Sequence, residues 1–182
     1  MSCTPTSGNV TNKVNTMGGI SYLDRMPLGI PGSVTRPRDL TIQPETFDPK
    51  KIFSGYGLVG KYSNGKFVPL EDGDTVDKVK GILVRPYPIQ SQTDLAYLGI
   101  KVGSAADNLK RGYICVSVGA SAATAGKGNP VYVRVAGATA DSPLGSFVLT
   151  PDATAKNTPA LPGAEVMGPG DANGNIEIAY NI

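Results

Sequence analysis

Side chains that could carry acid–base, nucleophilic or metal chemistry are few and scattered in this sequence. It contains no histidine. That removes the usual general base, the usual zinc ligand and every Ser-His-Asp or Cys-His arrangement. Of the two cysteines, Cys3 and Cys115, the second alternates with apolar residues and has no sequence neighbour that would activate it. It reads as a packed thiol. The pair leaves open one bridge or two thiols, and a cytosol-made chain favours thiols.

Gly55-Tyr56-Gly57-Leu58-Val59-Gly60 fits the G-x-G-x-x-G dinucleotide pattern letter for letter. That chemistry needs a helix opening through the glycines, so that its N-terminus meets pyrophosphate. Here Lys61-Tyr62-Ser63-Asn64-Gly65 follows, a strand and a tight turn. The glycines are expected where strands bend or backbones approach closely. Asp171, Asn173 and Asn175 stand at alternate positions around Gly174, like half of a calcium loop. The sixth-position glycine and twelfth-position glutamate of such a loop are not in place. Turn-forming Asx residues explain the segment.

Glu71, Asp72 and Asp74 form the one dense acidic cluster. Paired carboxylates could hydrolyse glycosides. Without tryptophan and with 7% aromatic residues, the chain offers few surfaces on which a sugar could stack, so a solvated turn is expected. Lys50-Lys51, Arg36 with Arg38, and Lys110-Arg111 are short basic pairs without aromatic interleaving. With a net charge of +2, no nucleic-acid footprint is expected. No catalytic, cofactor-binding or metal-binding residue is assigned, and no enzyme is expected.

The elements behind these residues are strands. The chain of 182 residues carries 23 glycines and 15 prolines, about a fifth of it, against roughly an eighth in average usage. Val131, Val133 and Val135 alternate with Tyr132 and Arg134; Ile114, Val116 and Val118 alternate with Tyr113, Cys115 and Ser117. Ile176, Ile178, Tyr180 and Ile182 alternate with Glu177, Ala179 and Asn181. A period of two marks strands with one buried face. Shorter strands are expected over Leu40–Ile42, Leu58–Tyr62, Phe67–Leu70, Ile82–Arg85, Phe147–Thr150 and Ala164–Met167. Asn64-Gly65 predicts a two-residue hairpin. Thr75–Lys80 and Ala105–Lys110 are each expected to form one helical turn, and Ala120–Gly128 a loop. The fold class is all-β, a small β-barrel or sandwich of short antiparallel strands.

Residues 1–38 differ. They are rich in Ser, Thr, Asn, Gly and Pro, and prolines and glycines break any helix there. They read as a long extended N-terminal arm ahead of a β-rich body, 39–182. Fully extended, such an arm reaches at most ~125 Å. Ordering it costs roughly 1–2 kcal/mol per residue, which a long complementary groove on a neighbour would offset. No apolar stretch is long enough to span a membrane, and the start lacks a secretion signal, so synthesis in a host cytoplasm is expected.

The segment Asp24-Arg25-Met26-Pro27-Leu28-Gly29-Ile30-Pro31-Gly32-Ser33-Val34-Thr35-Arg36-Pro37 resembles the N-terminal signature of structural cement proteins of tailed bacteriophages. The resemblance continues through Phe53, Gly55-Tyr56-Gly57, Leu83-Val84-Arg85-Pro86-Tyr87-Pro88, Lys110-Arg111-Gly112-Tyr113 and Val131-Tyr132-Val133-Arg134-Val135. It ends in Gly168-Pro169-Gly170-Asp171-Ala172-Asn173-Gly174-Asn175-Ile176-Glu177-Ile178-Ala179-Tyr180. It implies a virion structural protein on the capsid exterior that bridges neighbouring subunits of the major capsid protein. The implied partners are that capsid protein and further copies of this chain, a trimer first and a dimer second, with neither nucleic acid nor membrane. The capsid-binding residues it implies are Arg25, Met26, Pro27, Leu28, Gly29, Ile30, Pro31, Val34 and Arg36. A head-fibre base, a tail protein or a carbohydrate-binding module are the competing expectations.

Overall fold

The computed structural model describes residues 28–86 and 105–182. Nine strands run through them: β1 (Thr41–Thr46), β2 (Val59–Ser63), β3 (Lys66–Pro69), β4 (Gly81–Val84), β5 (Ala105–Ser117), β6 (Pro130–Val133), β7 (Phe147–Val148), β8 (Ala160–Val166) and β9 (Asn175–Tyr180). They form one curled antiparallel sheet in the order β3-β2-β4-β5-β9-β8-β6-β7, with β1 also on β5. The all-β expectation holds.

β5, at 13 residues the longest strand described, joins two halves. Its first half pairs with β1 on one edge and β4 on the other, with Ile82 opposite Leu109. Its second half pairs with β9, with Ile114 opposite Ile178. The first half of the sheet curls until Phe47, just past β1, meets Phe67 of β3 in a parallel bridge. Alternation then fills the concave side: Val59, Ile82, Leu109, Ile114, Val116, Val131, Val133, Val166, Ile176 and Ile178 are all fully buried. Each such side chain contributes roughly 1.5–3 kcal/mol relative to exposure in water. A second, smaller core gathers Phe47, Phe53, Leu58, Phe67 and Leu83.

The hairpin between β2 and β3 turns at Asn64 and Gly65, whose φ values of 50° and 72° are those of a type I′ turn. Three expectations fail. Ala105–Lys110 is not a helical turn but the start of β5; pairing on both its edges overrides local propensity. Gly119–Thr124 winds into a 3-10 helix within the expected loop. β9 is buried on both faces from Asn175 to Tyr180, because the segment before β1 covers the face expected to meet solvent. Beyond that strand Ile182 is 54% exposed. Thr75–Lys80 does contain its helical turn, at Val76–Lys78.

Candidate functional site

Of the implied contact residues, Arg25, Met26 and Pro27 lie outside the described residues. The other six form a strip along the second half of β5. Gly32 donates its N–H to the Cys115 carbonyl at 2.8 Å, Cys115 donates to Ser33 at 2.8 Å and Thr35 to Tyr113 at 3.1 Å. Val34 thereby pairs with Ile114. The chain then runs on into β1, which pairs with the first half of the same strand, and this explains why an apparently irregular sequence is held so closely.

Side chains divide along this strip. Leu28 is buried, Pro31 and Val34 are half-buried, and Gly29 is exposed. Ile30 stands 53% exposed. Arg36 lies 3.9 Å over the Tyr113 ring and holds both carboxylate oxygens of Glu177 at 3.1 Å through Nε and Nη2. The Thr35 hydroxyl donates to the same carboxylate at 2.6 Å. These Glu177 hydrogen bonds hold the Arg36 guanidinium above its ordinary pKa. Glu177 is thus the reason one end of the strip is fastened to β9.

At the other end, Arg85 follows β4. Its backbone N–H donates to the Gly32 carbonyl at 2.8 Å and its Nε to the Pro31 carbonyl at 3.2 Å. The guanidinium lies 4.5 Å over the Tyr56 ring, whose hydroxyl pKa is raised by burial. Sequence reasoning missed both Arg85 and Glu177 as partners of the strip. Their signals were a charge where alternation expects a surface residue and a place within the segments that carry the resemblance.

The residues weighed for chemistry are occupied structurally. Cys115 is buried and free of any disulfide, and burial pushes its thiol up to about 12, the opposite of activation; Cys3 lies outside the described residues. Strand β2 begins inside the glycine pattern, at Val59, and Gly57 backs onto Gly32. Asp171 accepts from the Asn173 and Asn175 backbone N–H groups at 2.9 and 2.8 Å, an Asx turn. Glu71 is hydrogen-bonded to Lys51 and Lys61, and Asp74 to Lys61 and Lys78. Asp72 accepts from Gly137 N. Among the described residues no three acidic or cysteine side chains gather as a metal site. Arg134, expected to point outward, is buried and forked onto Asp152 at 2.7 and 2.9 Å.

The family model described as XM1 gp53 minor capsid protein matches residues 19–180. The chain belongs to that family, and is therefore a structural component of a phage virion, associated with its capsid shell. A chain in the solved structure "The capsid of Myoviridae Phage XM1" shares the fold with a TM-score of 0.61 and 20% identity, covering 88% of this chain and 95% of that chain. No curated protein matches significantly.

Proposed function

We propose that this protein binds the outer surface of the assembled shell and bridges neighbouring subunits of the major capsid protein. The observation that carries the reading is the strip: its backbone is locked to β5 while Ile30 is left 53% exposed. A fastened base transmits load from whatever the preceding residues grip. The family pattern begins at residue 19, so it includes residues ahead of Leu28. Among the nine implied contacts, Arg25, Met26, Pro27, Gly29 and Ile30 are assigned to the capsid itself. Leu28, Pro31, Val34 and Arg36 are assigned to holding them in position from the body.

Such a protein stabilises the shell because it binds the assembled lattice and not its separated subunits, so dissociation must first lose those contacts. Copies seated as trimers on local three-fold positions, or as dimers across two-folds, would add avidity. The test is quantitative mass spectrometry of purified virions against the major capsid protein, joined to sedimentation with capsids. A copy number in simple ratio to capsid subunits, and loss of co-sedimentation when residues 1–27 are removed, are expected. A handful of copies per particle would move the protein to a head fibre or tail.

A further inference from the structure

We propose that Arg85 is a docking point for an acidic side chain of the capsid shell; the inference rests on the capsid-binding reading above and names its chemistry. The guanidinium is half-buried. Stacking on Tyr56 at 4.5 Å and the Nε bond to the Pro31 carbonyl at 3.2 Å together fix the plane of its fork. Neither contact neutralises it. Arg36, Arg111 and Arg134 are each paired with a carboxylate, Glu177, Asp39 and Asp152 respectively. Among the described residues Arg85 has none, and its terminal Nη groups make no hydrogen bond. Arg38 also lacks a carboxylate among the described residues, but it is exposed and stacks on no described ring.

A half-buried, oriented and uncompensated arginine is an unfinished interaction. Burial of a charge without a partner is costly, and a bidentate carboxylate is the partner whose geometry matches the fork. The neighbourhood fits a protein surface. Ile30 stands exposed next to Pro31, and Tyr, Arg and aliphatic side chains are the composition of interface centres. A phosphate backbone would call for several cations along a stripe; among the described residues no other cation contacts the Tyr56 ring or the Pro31 carbonyl.

The experiment measures binding of wild-type protein, Arg85→Gln and Arg85→Lys to capsids stripped of this chain, by sedimentation across a range of salt. Glutamine keeps an N–H able to reach the Pro31 carbonyl but removes the charge. Arg85→Gln is expected to bind roughly ten- to a hundred-fold more weakly, with a flatter salt dependence. Arg85→Lys, which keeps charge without the fork, is expected to bind less tightly than wild type. Hydrogen-exchange protection of the Cys115 amide, which donates to the Ser33 carbonyl at 2.8 Å, checks that the strip stays in place. Arg85→Gln binding as tightly as wild type, with the same salt slope, would overturn the proposal. So would weakened binding accompanied by a deprotected Cys115 amide, because Arg85 would then only position the strip. Wild-type protein that fails to bind the capsids overturns the capsid-binding reading and this one with it.

Discussion

Lys61 and Asp74 form the most buried ion pair among the described residues, with Nζ and Oδ2 2.6 Å apart and side-chain exposures of 10% and 5%. Burial raises the Asp74 pKa, yet hydrogen bonds from Lys61, Lys78 and the Glu71 backbone outweigh it and bring the group to about 2. Glu71, hydrogen-bonded by Lys51 and then Lys61, is likewise held at about 2. A carboxylate with a depressed folded-state pKa contributes stability above its unfolded value, 3.8 for Asp74, and that contribution is lost as pH falls through the folded value. For Asp74 this is of order 2 kcal/mol. Wild-type protein is therefore expected to lose stability steeply from about pH 4 to about pH 2. Asp74→Asn leaves Lys61 with one carboxylate partner, and is expected to cost about 3 kcal/mol at neutral pH and to flatten that acid limb. Urea denaturation at several pH values measures both. A variant as acid-sensitive as wild type would assign the limb to other groups. Gly60 tests a different force. A Cβ there would sit 2.5 Å from the Phe67 ring and 2.7 Å from Phe53, both buried, so neither ring can retreat. Gly60→Ala is expected to cost about 1–3 kcal/mol through overpacking, read as a lower urea midpoint with an unchanged slope. The last glycine of the pattern is there to let a ring in, not to cradle phosphate.

The strip before β1 carries the element-scale prediction. Its ladder on β5 begins at Gly32, and its fastening to β9 is the Arg36–Glu177 pair. Removing residues 1–27 keeps the strip and gives the reference truncation. Removing residues 1–38 deletes the strip, leaves the Cys115 amide without its Ser33 acceptor and leaves Glu177, which is 8% exposed, without its arginine. That truncation is expected to lower the melting temperature by several degrees, since about 1 kcal/mol moves it by roughly 2–4 °C in a domain this size. It is also expected to speed hydrogen exchange at the Cys115 amide, which loses its Ser33 acceptor. Equal stability of the two truncations would show that the strip adds nothing to the body. Much of this region was legible in the sequence and part was not. Alternation found β2, β3, β6 and β9 because one face of each is apolar. It could not find the strip, whose residues use backbone groups rather than side-chain periodicity, and backbone pairing leaves no compositional trace. It misjudged Ala105–Lys110 for a related reason: that segment is a strand only because β1 and β4 arrive on both sides of it. Leu28, Gly29, Ile30 and Pro31 stood out in the sequence only as part of a family-like pattern. The side chains that hold the strip, Glu177 and Arg85, come from β9 and the end of β4, and sequence distance hid them.

At the scale of the whole molecule, β5 makes the two halves of the sheet one body. Its residues 107–109 pair with β4 and residues 112–117 with β9, and Gly112 sits at the junction with φ of 142°. That conformation is one side chains rarely adopt, and an added Cβ would stand 2.9 Å from Leu40 Cβ and 3.1 Å from the Asp39 carbonyl. Gly112→Ala is therefore expected to cost about 1–3 kcal/mol, and the cost should appear in both halves together. A capsid protein that bridges neighbours needs that coupling. If one half could open while the other stayed folded, load applied through the strip would peel β5 away from β9. Hydrogen exchange resolves the question. Amides of Val59 and Ile82 report on one half, those of Val166 and Ile178 on the other. Equal opening free energies in wild type, falling by the same amount in Gly112→Ala, are the expected result. A fall confined to one half would mean that β5 works as a hinge between two independently folded sheets, and the strip would then grip the one containing β9.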